Sequence, residues 1–142
     1  MVNQVLCIDD DIISQTISQL LLKRAAFASE IKTANDGQEA IGLLVQMTSQ
    51  LSFDARNAPS LVFLDLNMPE MDGWSFLDHY VKHFEPLLPY TRIIILSSTI
   101  DPADALRARE YPVVIQFLHK PLQVDNLEAL KKHEMFHQFF SA

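Results

Sequence analysis

Cysteine is nearly absent: Cys7 is the only one in 142 residues. An internal disulfide and a cysteine-based zinc site are both excluded. Cys7 sits inside an apolar run, where a buried, inert thiol is the expected state. Clustered positive charge is also missing. Lys23-Arg24 and Lys131-Lys132 are the only adjacent basic pairs, and the net charge is −7. A phosphate backbone needs a basic patch, so no nucleic-acid partner is expected. No apolar stretch reaches membrane-spanning length. The N-terminus lacks a signal-peptide pattern, because acids follow its short apolar run at once. A cytoplasmic protein without membrane contact is the expectation. His79, His83, His119, His133 and His137 show no convincing metal spacing; His133 and His137 are expected four apart on a helix, with no third ligand. There is no repeat or low-complexity tract. The length suits one domain over residues 1–142, and a hydrophobic fraction of 49% is enough for a core.

Carboxylates end two of the apolar runs. The first reads Val5-Leu6-Cys7-Ile8-Asp9-Asp10-Asp11 and the second Leu61-Val62-Phe63-Leu64-Asp65. Fully apolar runs of this length read as buried parallel strands. Side by side, they bring their acids to one sheet edge. Clustered carboxylates are costly unless a positive charge sits among them. A hard divalent cation such as Mg²⁺ prefers oxygen ligands and meets that need. A metal plus a carboxylate free to act as nucleophile suits phosphoryl chemistry.

Strand and helix alternate along the chain. Ile13, Ile17, Leu20 and Leu21 fall on one face of a first helix. Glu30 to Ala34 reads as a strand. Asp36, with Glu39 three residues on, caps a second helix that buries Ala40, Ile41, Leu44 and Val45. Pro69 and Gly73 break a loop after Asp65, and Leu77, Tyr80, Val81 and Phe84 mark a third helix. Arg92 to Leu96 is a fourth strand. Asp101-Pro102 opens a short helix, and Val113 to Leu118 is a fifth strand. A last helix is expected from about Gln123 into the C-terminal aromatics. Five βα units imply an α/β fold, a parallel sheet covered on both faces. Sites in such sheets lie beyond the carboxyl ends of the strands. Asp9, Asp10, Asp65, Ser97 and Lys120 all lie there.

Five segments resemble the receiver domains of two-component response regulators. They are Val5 to Asp11, Asn35 to Ala40, Val62 to Gly73, Ile95-Leu96-Ser97-Ser98 and Phe117-Leu118-His119-Lys120-Pro121. The resemblance implies a flavodoxin-like, doubly wound five-stranded sheet of order 2-1-3-4-5 with five helices. It implies a single-domain, chemotaxis-regulator-like phosphoacceptor, phosphorylated on Asp65 with Mg²⁺ by a sensor histidine kinase or a histidine phosphotransfer protein. Asp9 and Asp10 would hold the metal with Asp65 and the Asn67 backbone carbonyl. Asp11 would be a helix cap or a supporting charge. Ser97 would donate to a phosphoryl oxygen. Lys120 would pair with Asp65 and then with the phosphoryl group, and Lys120-Pro121 would carry a cis peptide. Phe117 matches the aromatic switch position. Such a protein is a signalling component rather than an enzyme, catalysing only its own phosphorylation and dephosphorylation. No effector segment is expected after the fifth helix, so output would go through protein contact or a phosphorelay.

Alternatives are weaker. A receiver-like docking module that is never phosphorylated would not need the full set of five residues. An aspartate-nucleophile phosphatase wants Asp-x-Asp, where this chain has Asp65-Leu66-Asn67. A flavin binder wants a hydroxyl- and glycine-rich loop after the first strand, where this chain has three acids. Val113-Val114, Ser98 and the long connections around Leu51 to Pro59 and Glu85 to Thr91 depart from the family. Phe136, Phe139 and Phe140 either cap the core or form a dimer or partner surface.

Overall fold

The five strands are parallel because a helix follows each one and carries the chain back to start the next in the same direction. The structure is a computed structural model that describes residues 1–99 and 101–141. The elements are β1 (Val2–Ile8), α1 (Ile12–Arg24), β2 (Ala28–Ala34), α2 (Gly37–Thr48), β3 (Leu61–Leu64), α3 (Gly73–His83), β4 (Arg92–Ser97), α4 (Pro102–Ala108), β5 (Val114–His119) and α5 (Val124–Lys131). Single sheet order β2-β1-β3-β4-β5 runs across the molecule, the doubly wound, flavodoxin-like arrangement of five strands and five helices. The long connections hold 3-10 turns at Ala55–Asn57 and Glu85–Leu87. Buried Thr91 ties them together, its hydroxyl donating to the Pro59 carbonyl at 2.6 Å. Among the described residues, no helix is long and apolar enough to cross a membrane.

Each sheet face carries its own core. On one, Leu6, Ile8, Val62, Leu64, Ile93 and Ile95 meet Leu44 of α2 and Phe76, Leu77 and Tyr80 of α3. On the other, Val5, Cys7, Leu61, Phe63 and Ile94 meet Leu22 of α1 and Leu127 and Leu130 of α5. This is the period-two alternation of strand side chains. Asp11, Asp36, Asp72 and Asp101 each cap a helix by accepting backbone N–H bonds. Asp11 is thus a cap, one of its two expected roles.

Two helices differ from the sequence reading. Ile13, Ile17 and Leu20 face solvent, at 72%, 38% and 46% exposure, and Leu21 is only half-buried. The inner face of α1 is Gln15, Ser18 and Leu22. On this inner face Gln15 donates to carbonyls at the ends of β1 and β2. On α2, Ala40 and Leu44 are buried and Ile41 is half-buried, but Val45 is 48% exposed. The last helix stops at Lys131, and the aromatics follow in turns with a 3-10 segment at His137–Phe139. His133 and His137 therefore do not share a helix. Turning there lets Phe136 and Phe140 pack on Phe27, with ring centroids 6.3 and 5.1 Å away. Phe136 and Phe140 cap the core, and Phe139 is left 39% exposed.

Candidate functional site

Strand register brings the acids together. Ile8 pairs with Leu64, so Asp9 and Asp65 are neighbours one residue beyond the ladder. The Asp65 N–H donates to the Ile8 carbonyl at 3.0 Å. Across the sheet, Ser97 ends β4 and pairs with His119, and the Lys120 N–H donates to the Ser97 carbonyl at 2.7 Å. The Lys120-Pro121 peptide is cis.

One carboxylate oxygen from each of Asp9, Asp10 and Asp65 lies within 4.8 Å of the others. Asp9 and Asp65 are buried, at 6% and 4% exposure, and Asp10 is exposed. Lys120 Nζ bridges the two buried acids, 2.7 Å from Asp9 Oδ2 and 3.4 Å from Asp65 Oδ2. The pairing with Asp65 expected from sequence is present, and Asp9 is a second, closer partner. The remaining oxygens are held alike. Asp9 Oδ1 accepts from the Asp11 N–H at 2.9 Å, and Asp65 Oδ1 from the Asn67 N–H at 3.2 Å. Both carboxylates are therefore fixed in orientation.

Burial pushes the Asp65 carboxyl up to about 6; Lys120 pulls it down, and the neighbouring Asp9 pushes it up again. Burial lowers the Lys120 ammonium, but its bonds and charge attraction to Asp9 and Asp65 outweigh that and hold it above the usual lysine range. The pair is thus a poised carboxylate beside a firmly charged ammonium. Cys7 is driven up to about 12 by burial and then by Asp9, and is inert as expected. The donor set fits a hard divalent cation: it is all oxygen, and the pocket holds three carboxylates against one lysine.

The remaining expected residues lie around this pocket. Ser97 is fully buried, and its Oγ accepts from the Thr99 N–H at 3.3 Å and lies 3.4 Å from the Thr99 hydroxyl. Asn67 is exposed on the loop after β3. Phe117 is half-buried on β5, opposite Ile95. Gly73 closes that loop against Asp65: a Cβ there would stand 2.8 Å from the Asp65 carbonyl, too close for any other residue without movement.

Three contributors were not read from the sequence: Gln15, Ser18 and Thr99. Gln15 and Ser18 line the underside of the pocket with Cys7, Asp9 and Asp65. A glutamine and a serine on a helix carry no signal of burial when isoleucines at neighbouring positions mark out a competing face. Thr99 was hidden for the opposite reason, since a hydroxyl just past a strand is commonplace.

Comparison with known proteins places this geometry. The model of the response regulator receiver domain matches residues 5–132. The transcriptional regulatory protein ZraR of Escherichia coli is 33% identical over 133 residues, covering 94% of this chain but 26% of ZraR. The two-component response regulator ARR10 of Arabidopsis thaliana is 30% identical, covering 92% of this chain and 21% of that protein. The chain thus spans about a quarter of these relatives. A two-component response regulator of Cytophaga hutchinsonii superposes with a TM-score of 0.82 at 29% identity, over 92% of this chain and 95% of that one. A response regulator receiver protein of Dyadobacter fermentans gives 0.75 at 30% identity, over 99% and 100%.

Proposed function

The chain belongs to the response regulator receiver family, and from that premise we propose that residues 1–142 form a phosphoacceptor domain in which Asp65 takes a phosphoryl group from a histidine kinase or histidine phosphotransfer protein. The observation that carries this reading is the buried Asp65 carboxylate, oriented by the Asn67 N–H and flanked by Lys120 and two further acids.

Asp9, Asp10 and Asp65 would hold Mg²⁺, with the Asn67 carbonyl. When bound, the ion supplies charge neutralisation for the phosphoryl oxygens. A carboxylate oxygen of Asp65 attacks phosphorus. The new oxygen–phosphorus bond forms as the phosphorus–nitrogen bond of a phosphohistidine breaks, and the electron pair leaves with the imidazole. The nucleophile must be ionised. A bound cation, Lys120 and the Asn67 N–H all favour the ionised form over the burial that opposes it. Lys120 then meets the added negative charge by a charge-assisted bond. Ser97 turns its hydroxyl from Thr99 toward a phosphoryl oxygen, and Phe117 moves with it. The added group brings roughly −1.5 to −2 charge, the bias that drives this rearrangement.

An apolar stripe on α1, Ile13, Ile17 and Leu20, stands exposed directly after the acid-bearing loop. It suits a phosphodonor protein with an apolar face, and it supports the partner reading. Output passes through protein contact or onward phosphotransfer.

Acetyl phosphate tests the core of this. With Mg²⁺ it should label Asp65 as a hydroxylamine-labile acyl phosphate, seen by mass spectrometry, and Asp65→Asn should abolish labelling. A label on Ser97, or a label persisting in Asp65→Asn, would overturn the assignment.

A further inference from the structure

Gln15 is buried on the inner face of α1, at 5% exposure. Its Nε2 lies 3.1 Å from the Cys7 carbonyl, 3.1 Å from the Asp9 carbonyl and 2.9 Å from the Ala34 carbonyl. Three acceptors around one nitrogen fix the amide, because the flipped orientation would set its oxygen against all of them. These carbonyls sit where two strands end. Ile8 and Ala34 are the last paired residues of β1 and β2, so the Asp9 carbonyl lies past the ladder. Asp9 is buried, and a carbonyl there needs a donor. Gln15 supplies it from one side of the residue, while the Asp9 N–H donates to Ala34 at 3.0 Å on the other. Gln15 also lines the small void beneath Asp9 and Asp65.

We propose that Gln15 is a positioning residue: its amide clamps the end of β1 and so holds the Asp9 carboxylate in the geometry that cation binding requires. This rests on reading the acids as cation ligands. The nearby polar residue Ser18 makes no such bridge, and Leu22, on the same face, packs into the core alone. Gln15 is set apart by the three strand-end carbonyls that share its two N–H groups.

The test uses the full chain and three variants: Gln15→Met, close in volume but without N–H groups, Leu22→Ala and Asp10→Ala. Mg²⁺ affinity is measured by calorimetry, melting temperature on the same samples, and amide hydrogen exchange at Asp9 in metal-free protein. Gln15→Met should weaken Mg²⁺ roughly tenfold, the scale of lost supporting bonds around a metal site, and should speed exchange at the Asp9 amide. Leu22→Ala should lower the melting temperature at least as much while leaving Mg²⁺ affinity within about twofold, its side chain being remote from the strand-end carbonyls. Should Gln15→Met not fold, Gln15→Ala, which removes the amide without adding charge, takes its place with the same expectation. Unchanged Mg²⁺ affinity and Asp9 exchange in the Gln15 variant would overturn the proposal. So would losses in both variants that merely track melting temperature. If Asp10→Ala binds Mg²⁺ as tightly as the parent, the reading of the acids falls, and this proposal with it.

Discussion

Helices α1 and α3 flank the same pocket and are built on opposite principles. α3 turns Trp74, Phe76, Leu77 and Tyr80 inward, and its apolar side chains do what apolar side chains usually do. α1 buries Gln15 and Ser18 and leaves Ile12, Ile13, Ile17 and Leu20 in solvent. Burying amide and hydroxyl while exposing four large aliphatics is unfavourable for folding alone. The contrast separates two kinds of helix: one holds the fold together, and the other gives up burial to hold a site on its inner face and offer an apolar outer face to a partner.

The largest effect should come from α3. Leu77→Ala removes a fully buried side chain from the core and should cost about 2–5 kcal/mol in denaturant unfolding. A cost near zero would remove the structural half of the contrast.

Asp65, between the two helices, should give a smaller change of opposite sign. A carboxyl whose folded pKa lies above its unfolded value holds its proton more tightly when folded. Its ionisation therefore weakens the fold as pH climbs from the usual carboxylate range through about 6. Asp65→Asn should stabilise the metal-free protein by about 1–2 kcal/mol at pH 7.5. The gain should vanish toward pH 4. A destabilised Asp65→Asn at pH 7.5 would mean that Lys120 more than offsets the burial of the charge.

The smallest stability effect belongs to the outer face of α1. Ile13→Ser with Ile17→Ser should change unfolding free energy by no more than about 0.5 kcal/mol. Acetyl phosphate labelling should also be unchanged. Transfer from a phosphorylated protein donor should fall roughly tenfold or more, since each large aliphatic buried at an interface contributes about 1.5–3 kcal/mol. Equal loss with acetyl phosphate and with the protein donor would place the isoleucines in the fold rather than at a partner.

The same contrast explains what could be read in advance. Strands ending in acids were plain, because a carboxylate that interrupts an apolar run leaves few other places for it to go. Asp9, Asp10, Asp65 and Lys120 were legible as strand-end residues, and strand register then brought them together. The core face of α3 followed from its periodicity. α1 misled because periodicity identifies a stripe without saying which way it faces; the deciding carbonyls of Cys7, Asp9 and Ala34 come from two strands. The end of α5 was missed because Phe27, the aromatic that draws Phe136 out of the helix, lies far away in sequence.

Trp74 carries a consequence of its own. It is the only tryptophan, 8% exposed at the start of α3, with the Arg107 guanidinium 4.5 Å from its ring and Tyr111 stacked at 5.9 Å. Tyr111 is itself fastened to α3, its hydroxyl donating to Asp78 at 2.6 Å. An indole between α3 and a cation on α4 is an optical gauge of the gap between those helices. Its emission reads whether α4 has shifted, with no label added and no other tryptophan to confuse the signal.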